Sequence, residues 1–370
     1  MGKIALYLAG GGARGAYQAG VLKAIHQILQ TRVSPFHMIT GVSVGSINAA
    51  ILAQYANDFA TGVNRLEDLW RNIHCQQIYN ASNYSLSKSL ARNLSHFLIR
   101  QRKSGFLLDT SPLLQFIEEN VDFNQIRENI QHKYLETLEV ISNCYEVQQT
   151  ISFYEHYAPH FNDWHYPRHA SQRCHFTANH ILASSALPLF FPPINLDGFN
   201  YGDGSIGLVS PLRGALRFNV DKILILGTRQ LPMLPHVEKW RSSDIGFAHI
   251  LGNMLNGLFL DNLDRDIETV NHMNDIARLL SIWKKRQSPW RPVETMHLRP
   301  STDVASIAQN KYKSMPTLLR FCLNLLGAQH HSGDLLSFLL FEKEFTQELI
   351  HLGYHDTLSN AAAIQTFFQN

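Results

Sequence analysis

The clearest hydrophobic patterning lies at the start of the chain. Ile4 to Leu8 is a short apolar run that meets three glycines at once, which predicts a strand rather than the longer apolar core of a secretion signal. From Ala16 to Gln30 the positions Ala16, Ala19, Val21, Leu22, Ile25 and Leu29 recur at helical spacing. Phe36 to Val42 reads as a second strand and Ser46 to Tyr55 as a second helix. Strand, glycine loop, helix, strand, sharp turn, helix is how a parallel sheet with right-handed crossovers begins.

Further helices are expected at Val63 to Ile73, Pro112 to Glu119 and Ser242 to Leu280, with Pro112 suited to a first helical position. Leu138 to Val147 and Thr150 to Tyr154 read as strands, and Val293 to Leu298 as one more. Lys222 to Leu226 is a continuous apolar run closed by Gly227, the pattern of an inner strand covered on both faces. Leu318 to Leu326, Leu335 to Phe341 and Glu344 to Leu349 read as packing helices. No repeat, charge block or low-complexity linker interrupts the chain. The expectation is one domain over 1–370, with a catalytic α/β core at 1–230 and a mostly helical part at 231–370 packed on it.

Composition narrows the function. With 32 basic against 30 acidic residues the net charge is +2, too weak a field to favour nucleic acid or another polyanion. The four cysteines have no paired close spacing, which argues against a zinc cage or disulfide framework and fits a reducing, cytoplasmic setting. Gly2 lacks the Ser or Thr at position 6 that myristoylation prefers, and no stretch of about 18 apolar residues is present. Membrane contact is therefore expected to be peripheral.

Three motifs carry chemistry. In Gly41-Val42-Ser43-Val44-Gly45 a G-x-S-x-G follows a strand and precedes a helix. That arrangement makes a strained elbow presenting the serine Oγ, and Gly41 and Gly45 let the backbone turn. Gly10-Gly11-Gly12-Ala13-Arg14-Gly15 follows the first strand; backbone N–H groups at such a helix start can hold an oxyanion. The same letters satisfy G-x-G-x-x-G, so a phosphate cradle is the rival reading. A dinucleotide site wants an acidic residue about 20 positions on, and none precedes Asp58. The third motif is Asp203-Gly204-Ser205, where a Gly-flanked turn can fix a carboxylate; a plain hairpin turn is its simpler reading.

Together with Ala183-Ser184-Ser185-Ala186-Leu187-Pro188-Leu189-Phe190-Phe191-Pro192-Pro193, these motifs resemble the patatin-like phospholipase family. Phe259-Leu260-Asp261-Asn262-Leu263 and Leu335 to Phe341 also look like bacterial members, so the resemblance runs along nearly the whole chain. It implies a three-layer α/β/α fold with a mainly parallel central sheet and extra C-terminal helices. It also implies a dyad of Ser43 and Asp203. The oxyanion hole would sit in the loop Gly10, Gly11 and Gly12, with Arg14 nearby. Ser205 stands where Gly or Ala is commoner, which bears on turn geometry.

The implied activity is hydrolysis of fatty acyl esters of phospholipids or lysophospholipids through an acyl-enzyme, with no cofactor and no metal. The alternatives are acyl transfer by the same dyad and a non-catalytic nucleotide-binding module. An aspartate with a pKa near 3.9 is a weak base at neutral pH, so geometry and a partly dry site must compensate, and no inflection near pH 6 to 7 is expected unless a histidine acts. A Ser-His-Asp triad is weighed because of the 19 histidines, but Ser43 comes too early for the usual hydrolase layout. His156, His160, His165, His169, His175 and His180 cluster without any zinc-protease spacing. Trp283 to Arg291 mixes aromatic and basic residues, either as an interfacial segment or as a solvated loop. Leu187 to Pro193 could line an acyl pocket.

Overall fold

The computed structural model describes residues 2–80, 108–231, 247–259, 261–281, 283–284, 288, 290–325 and 333–369. Its centre is a sheet ordered β10-β9-β1-β2-β3-β4-β6-β5. The strands are β1 (Ile4–Leu8), β2 (Met38–Val42), β3 (Thr137–Cys144), β4 (Gln149–His156), β5 (His165–Tyr166), β6 (His169–Arg173), β7 (Ile194–Leu196), β8 (Phe199–Asp203), β9 (Lys222–Leu226) and β10 (Glu294–Leu298). From β10 to β3 every pairing is parallel. Beyond β3 the sheet is mixed, with β4 antiparallel to β3 and β6 parallel to β4.

Alternation along the inner strands builds two cores. Ile4, Leu6 and Leu8 of β1 and Leu224 and Leu226 of β9 face one side. Ala5, Tyr7, Ile223 and Ile225 face the other, as a period of two requires. The first side packs against helices α1 (Ala16–Leu29), α2 (Val44–Gln54) and α3 (Phe59–Arg71). The second is covered by Ala215 of helix Arg213–Arg217 and by Leu263 and Val270 of helix Asp261–Leu279. The result is a three-layer α/β/α architecture, because a parallel sheet must be covered on both faces.

The C-terminal helices close over the first layer. A Cβ on Gly20 would lie 2.0 Å from the Ile350 carbonyl oxygen, and one on Gly353 2.2 Å from that of Tyr17. These glycines let α1 and helix Lys343–Leu358 approach backbone to backbone. β10 likewise belongs to the later part of the chain yet forms one edge of the sheet.

Several elements differ from the sequence expectation. The strand expected to reach Val147 stops at Cys144, because residues 145–148 turn back into β4 and Gln148 takes a φ of 52°. Strands β5 and β6 and helices Phe123–Gln131 and Ala178–Ser184 carry too short or too polar a pattern to be expected. Residues 242–246 and 260 of the expected helix lie outside the described residues; helices Phe247–Phe259 and Asp261–Leu279 take up the rest as far as residue 279. Much of Trp283 to Arg291 also lies outside them, though Trp283 is largely exposed and the Trp290 indole N–H donates to Asn274 Oδ1 at 3.4 Å. Among the described residues no helix is long and apolar enough to cross a membrane.

Candidate active site

Sheet register brings the serine and aspartate motifs together. β2 pairs with β3 only as far as Val42 opposite Ile141. The next β3 residue on that side, Ser142, pairs instead with Asp203 of β8. Thus β8 takes the place that β2 vacates where the chain turns off at Ser43. The hairpin preceding Asp203 is fixed by Asp197 and Gly198, both at positive φ (51° and 89°), as a two-residue hairpin turn requires.

Ser43 occupies φ 55°, ψ −130° at the start of α2, a conformation costing on the order of 1–3 kcal/mol in a non-glycine residue. Close packing forces it. A Cβ on Gly41 would come within 2.5 Å of the Gly45 carbonyl, and one on Gly45 within 2.1 Å of the Leu8 carbonyl. The Ser43 N–H donates to Ser184 Oγ at 3.0 Å, and Ser184 Oγ donates to the Ile141 carbonyl at 2.6 Å. Ser46 Oγ and Ser185 Oγ donate to the Ser43 carbonyl at 2.6 and 3.0 Å. The elbow is held at both of its backbone polar groups.

Ser43 Oγ donates to Asp203 Oδ2 at 2.5 Å. Asp203 is fully buried, its Oδ1 accepts the Ser205 N–H at 2.9 Å, and its own N–H donates to the Ala186 carbonyl at 3.0 Å. Gly204 is required here, since a Cβ would meet the Ile141 carbonyl at 1.9 Å. Burial pushes the Asp203 carboxyl up to about 7, against the lowering effect of hydrogen bonds from Ser43 and Ser205. Desolvation disfavours the charged form and strengthens it as a base, which is the partly dry setting the sequence reading asked for; with the carboxyl this high, an inflection near neutrality does not by itself call for a histidine.

The glycine loop lies against Ser43. A Cβ on Gly10 would sit 2.9 Å from Ser205 Oγ and 3.0 Å from Ser43 Cβ, and Thr228 Oγ1 donates to the Gly10 carbonyl at 2.6 Å. Gly11 and Gly12 take φ 148° and 57°, and Gly12 packs so closely on the Phe338 carbonyl that a Cβ would fall at 2.1 Å. Both residues open the 3₁₀ turn Gly12–Gly15, where the first N–H groups have no preceding carbonyl within the turn. Arg14 lies in this turn, and its side chain bonds to a neighbouring helix. Its guanidinium is buried over the Phe338 ring at 4.4 Å, donating to Ser337 Oγ at 2.8 Å and to Asp334 Oδ1 at 3.1 Å. Its backbone N–H donates to the Gly11 carbonyl at 3.2 Å. Arg14 thus ties the loop to helix Gly333–Leu339 instead of donating to the serine.

Four of the clustered histidines are engaged elsewhere. His169 shares a 2.9 Å hydrogen bond with Ser152 Oγ, and burial pushes its pKa down to about 3. His156 contacts Thr137 Oγ1, His175 contacts Glu155 and His180 contacts Thr177. Among the described residues no histidine hydrogen-bonds to Ser43 or Asp203, and no three His, Cys, Asp or Glu side chains come together as metal ligands.

Beside Ser43 lies a narrow apolar pocket of about 30 Å³, bounded by Gly12, Val44, Leu113, Leu187, Phe191 and Phe338 among others. Leu187 and Phe191 come from the apolar block that the sequence marked, whereas Leu113 and Phe338 were not expected there. Ser184, Ser185 and Thr228 were also missed; the paired serines inside an apolar stretch were the one local signal.

A family model, patatin-like phospholipase, matches residues 6–216. No curated protein matches the chain. A solved structure, human GIVD cytosolic phospholipase A2 in complex with methyl gamma-linolenyl fluorophosphonate, aligns with 99% of this chain at 13% identity and a TM-score of 0.42. This chain spans 59% of that one. The matched residues are more than half of the 370 and include the glycine loop, Ser43 and Asp203; the chain belongs to the patatin-like phospholipase family.

Proposed function

We propose that this protein is a serine lipid acyl hydrolase that cleaves fatty acyl esters of phospholipids or lysophospholipids through a Ser43–Asp203 dyad. Family membership supports lipid acyl hydrolysis in general. The dyad rests on one observation above all, the 2.5 Å contact between Ser43 Oγ and Asp203 Oδ2 in a dry site.

The chemistry follows from those atoms. As Ser43 Oγ attacks the ester carbonyl, its proton passes to Asp203 Oδ2, and the N–H groups of Gly11 and Gly12 face the oxygen that gains negative charge. The same proton returns to the departing alcohol as the C–O bond breaks. Water then attacks the acyl-enzyme, gives its proton to Asp203, and Ser43 leaves reprotonated. Pre-set backbone donors of this kind contribute about 10²–10³ in rate each.

The chain acts as one domain over 1–370 in this reading. Support comes from β10, which completes the sheet, and from helix Gly333–Leu339, which backs the glycine loop. Exposed Trp283 beside Lys284 supports brief visits to a membrane surface by a cytoplasmic enzyme. Product analysis on defined phospholipids and lysophospholipids tests the proposal. Free fatty acid is expected from wild type and none from Ser43→Ala; acid release that survives Ser43→Ala overturns it.

A further inference from the structure

The turn that carries the base also holds a hydroxyl with nothing to bond. Ser205 is buried, and its Oγ has no hydrogen-bond partner. Buried polar groups are paired in the great majority of cases, and one left alone carries a desolvation cost that a methyl group in its place would not. The residue is otherwise firmly placed. Its N–H donates to Asp203 Oδ1 at 2.9 Å, and its carbonyl accepts the Leu208 N–H at 3.4 Å. A Cβ on Gly10 would lie 2.9 Å from Ser205 Oγ and 3.0 Å from Ser43 Cβ, so this hydroxyl borders the same small space as the nucleophile. It is also near enough to the Asp203 carboxyl to lower its pKa, without the alignment of a hydrogen bond.

Asp203 relies on few donors. Oδ2 takes the Ser43 hydroxyl and Oδ1 the Ser205 N–H. At the end of helix Ala178–Ser184, Ser184 Oγ is committed to the Ile141 carbonyl and the adjoining Ser185 Oγ to the Ser43 carbonyl. Ser142 lies opposite Asp203 on β3, and its hydroxyl is also without a partner. Tyr145, just after β3, is the titratable side chain that faces the carboxyl, its own pKa raised by burial and then by the Asp203 charge. Among the described residues no cation pairs with Asp203. The consequence comes once Ser43 Oγ is esterified and has no proton to donate. A fully buried carboxylate then loses its strongest lowering contact, at the step in which it must take a proton from water.

We propose that Ser205 is a positioning residue for the second half of the reaction: when Ser43 Oγ is esterified, the Ser205 hydroxyl turns to donate to the Asp203 carboxylate and keeps it ionised. The proposal rests on the reading of Ser43 and Asp203 as the dyad. A serine needs only a change of χ1, or rotation about its C–O bond, to redirect its proton. With the carboxylate so held, water adds to the acyl carbon as one of its protons passes to Asp203. The bond from that carbon to Ser43 Oγ then breaks, and the proton moves from Asp203 to Ser43 Oγ, which regains its hydroxyl. Ser205 keeps its own proton throughout. The two half-reactions therefore differ in their need for it. In the free enzyme Ser43 donates and Ser205 adds little; in the acyl-enzyme Ser205, which already acts on the carboxyl as Ser142 does not, takes over.

The test uses the full chain carrying Ser205→Ala, which removes only the unpartnered oxygen, with Ser142→Ala as its counterpart on β3. For a p-nitrophenyl ester, kcat/KM reports the free enzyme. Decay of the acyl-enzyme, followed by mass after rapid removal of substrate, reports the second half-reaction directly. In Ser205→Ala the rising limb of kcat/KM should stay within about half a pH unit of wild type, whereas that of the decay rate should move up by about one to two pH units, the worth of one hydrogen bond to a charged group. At pH 7 decay should slow about tenfold or more and recover in alkali. Lower rates with both limbs unmoved indicate a merely structural role and overturn the proposal. Independently of turnover, the Asp203 carboxyl carbon, identified by its loss in Asp203→Asn, is titrated by NMR. In Ser43→Ala, where the nucleophile's hydroxyl is absent, adding Ser205→Ala should raise that titration by about one to two pH units, against under about half a unit when Ser43 is present. Equal shifts in both backgrounds, no shift in either, or a shift that follows Ser142→Ala instead, overturn it too. If Ser43 is never acylated and the carboxyl still titrates as expected, the contact from Ser205 stands and the catalytic reading fails.

Discussion

Replacing Asp203 by Asn should abolish turnover and yet make the protein more stable at alkaline pH. The introduced amide keeps an oxygen for the Ser205 N–H and a polar group beside Ser43 Oγ, so packing is preserved. What changes is charge. Burial raises the Asp203 carboxyl from 3.8 to about 7. Between those values the folded protein keeps a proton that the unfolded chain has released, so stability falls as pH rises through this window, and the full penalty stands above pH 7. A difference of about three units corresponds to about 4 kcal/mol, an upper figure for a single buried carboxylate. Glu139, also pushed up to about 7 by burial, is present in both proteins and cancels. Urea unfolding at pH 8 should show Asp203→Asn more stable by about 1–4 kcal/mol, a midpoint shift of up to about 1 M. At pH 4 the two proteins should unfold together. Equal stability at pH 8, or a gap that does not shrink toward pH 4, refutes the account of Asp203 as a carboxylate held ionised against its surroundings.

Other consequences follow from the same geometry. In wild type, kcat/KM should rise with pH through about 7 and level off above it, with the limb unmoved in His169→Gln, whose ring is buried and neutral; loss of the limb in a histidine variant reassigns the base. Arg14→Ala leaves Ser337 and Asp334 without their buried partner and should cost about 2–4 kcal/mol in urea unfolding, whereas an unchanged midpoint removes Arg14 as the tie to helix Gly333–Leu339. Gly12→Ala sets a methyl 2.1 Å from the Phe338 carbonyl at a positive φ; displacement of the loop should lower kcat by about 10² or more, and a rate within a factor of two of wild type contradicts an oxyanion role for the loop.

The sequence carried the inner strands plainly, because Ile4 to Leu8 and Ile223 to Leu226 are buried on both faces and so are apolar throughout. It carried β5 and β6 poorly, since a two-residue exposed strand and the run His169 to Arg173 have no apolar alternation to show. At the site, local motifs singled out Ser43, Asp203 and the glycines, each of which obeys a local backbone constraint. Contacts between distant segments left no such mark. The step from β2 to β8 along β3 depends on register. Arg14 finds its partners more than 300 residues later, and a buried arginine at a glycine loop reads the same in sequence whether it turns toward the serine or away. The raised carboxyl of Asp203 is likewise a product of burial, which no turn motif records.

Trapping the acyl-enzyme tests the central claim most directly. After a brief mix with a p-nitrophenyl ester and an acid quench, peptide mass spectrometry should find the acyl group on Ser43 in wild type and no acylation in Asp203→Asn. An acyl group on another residue, or equal acylation of Ser43 when Asp203 has lost its charge, contradicts it.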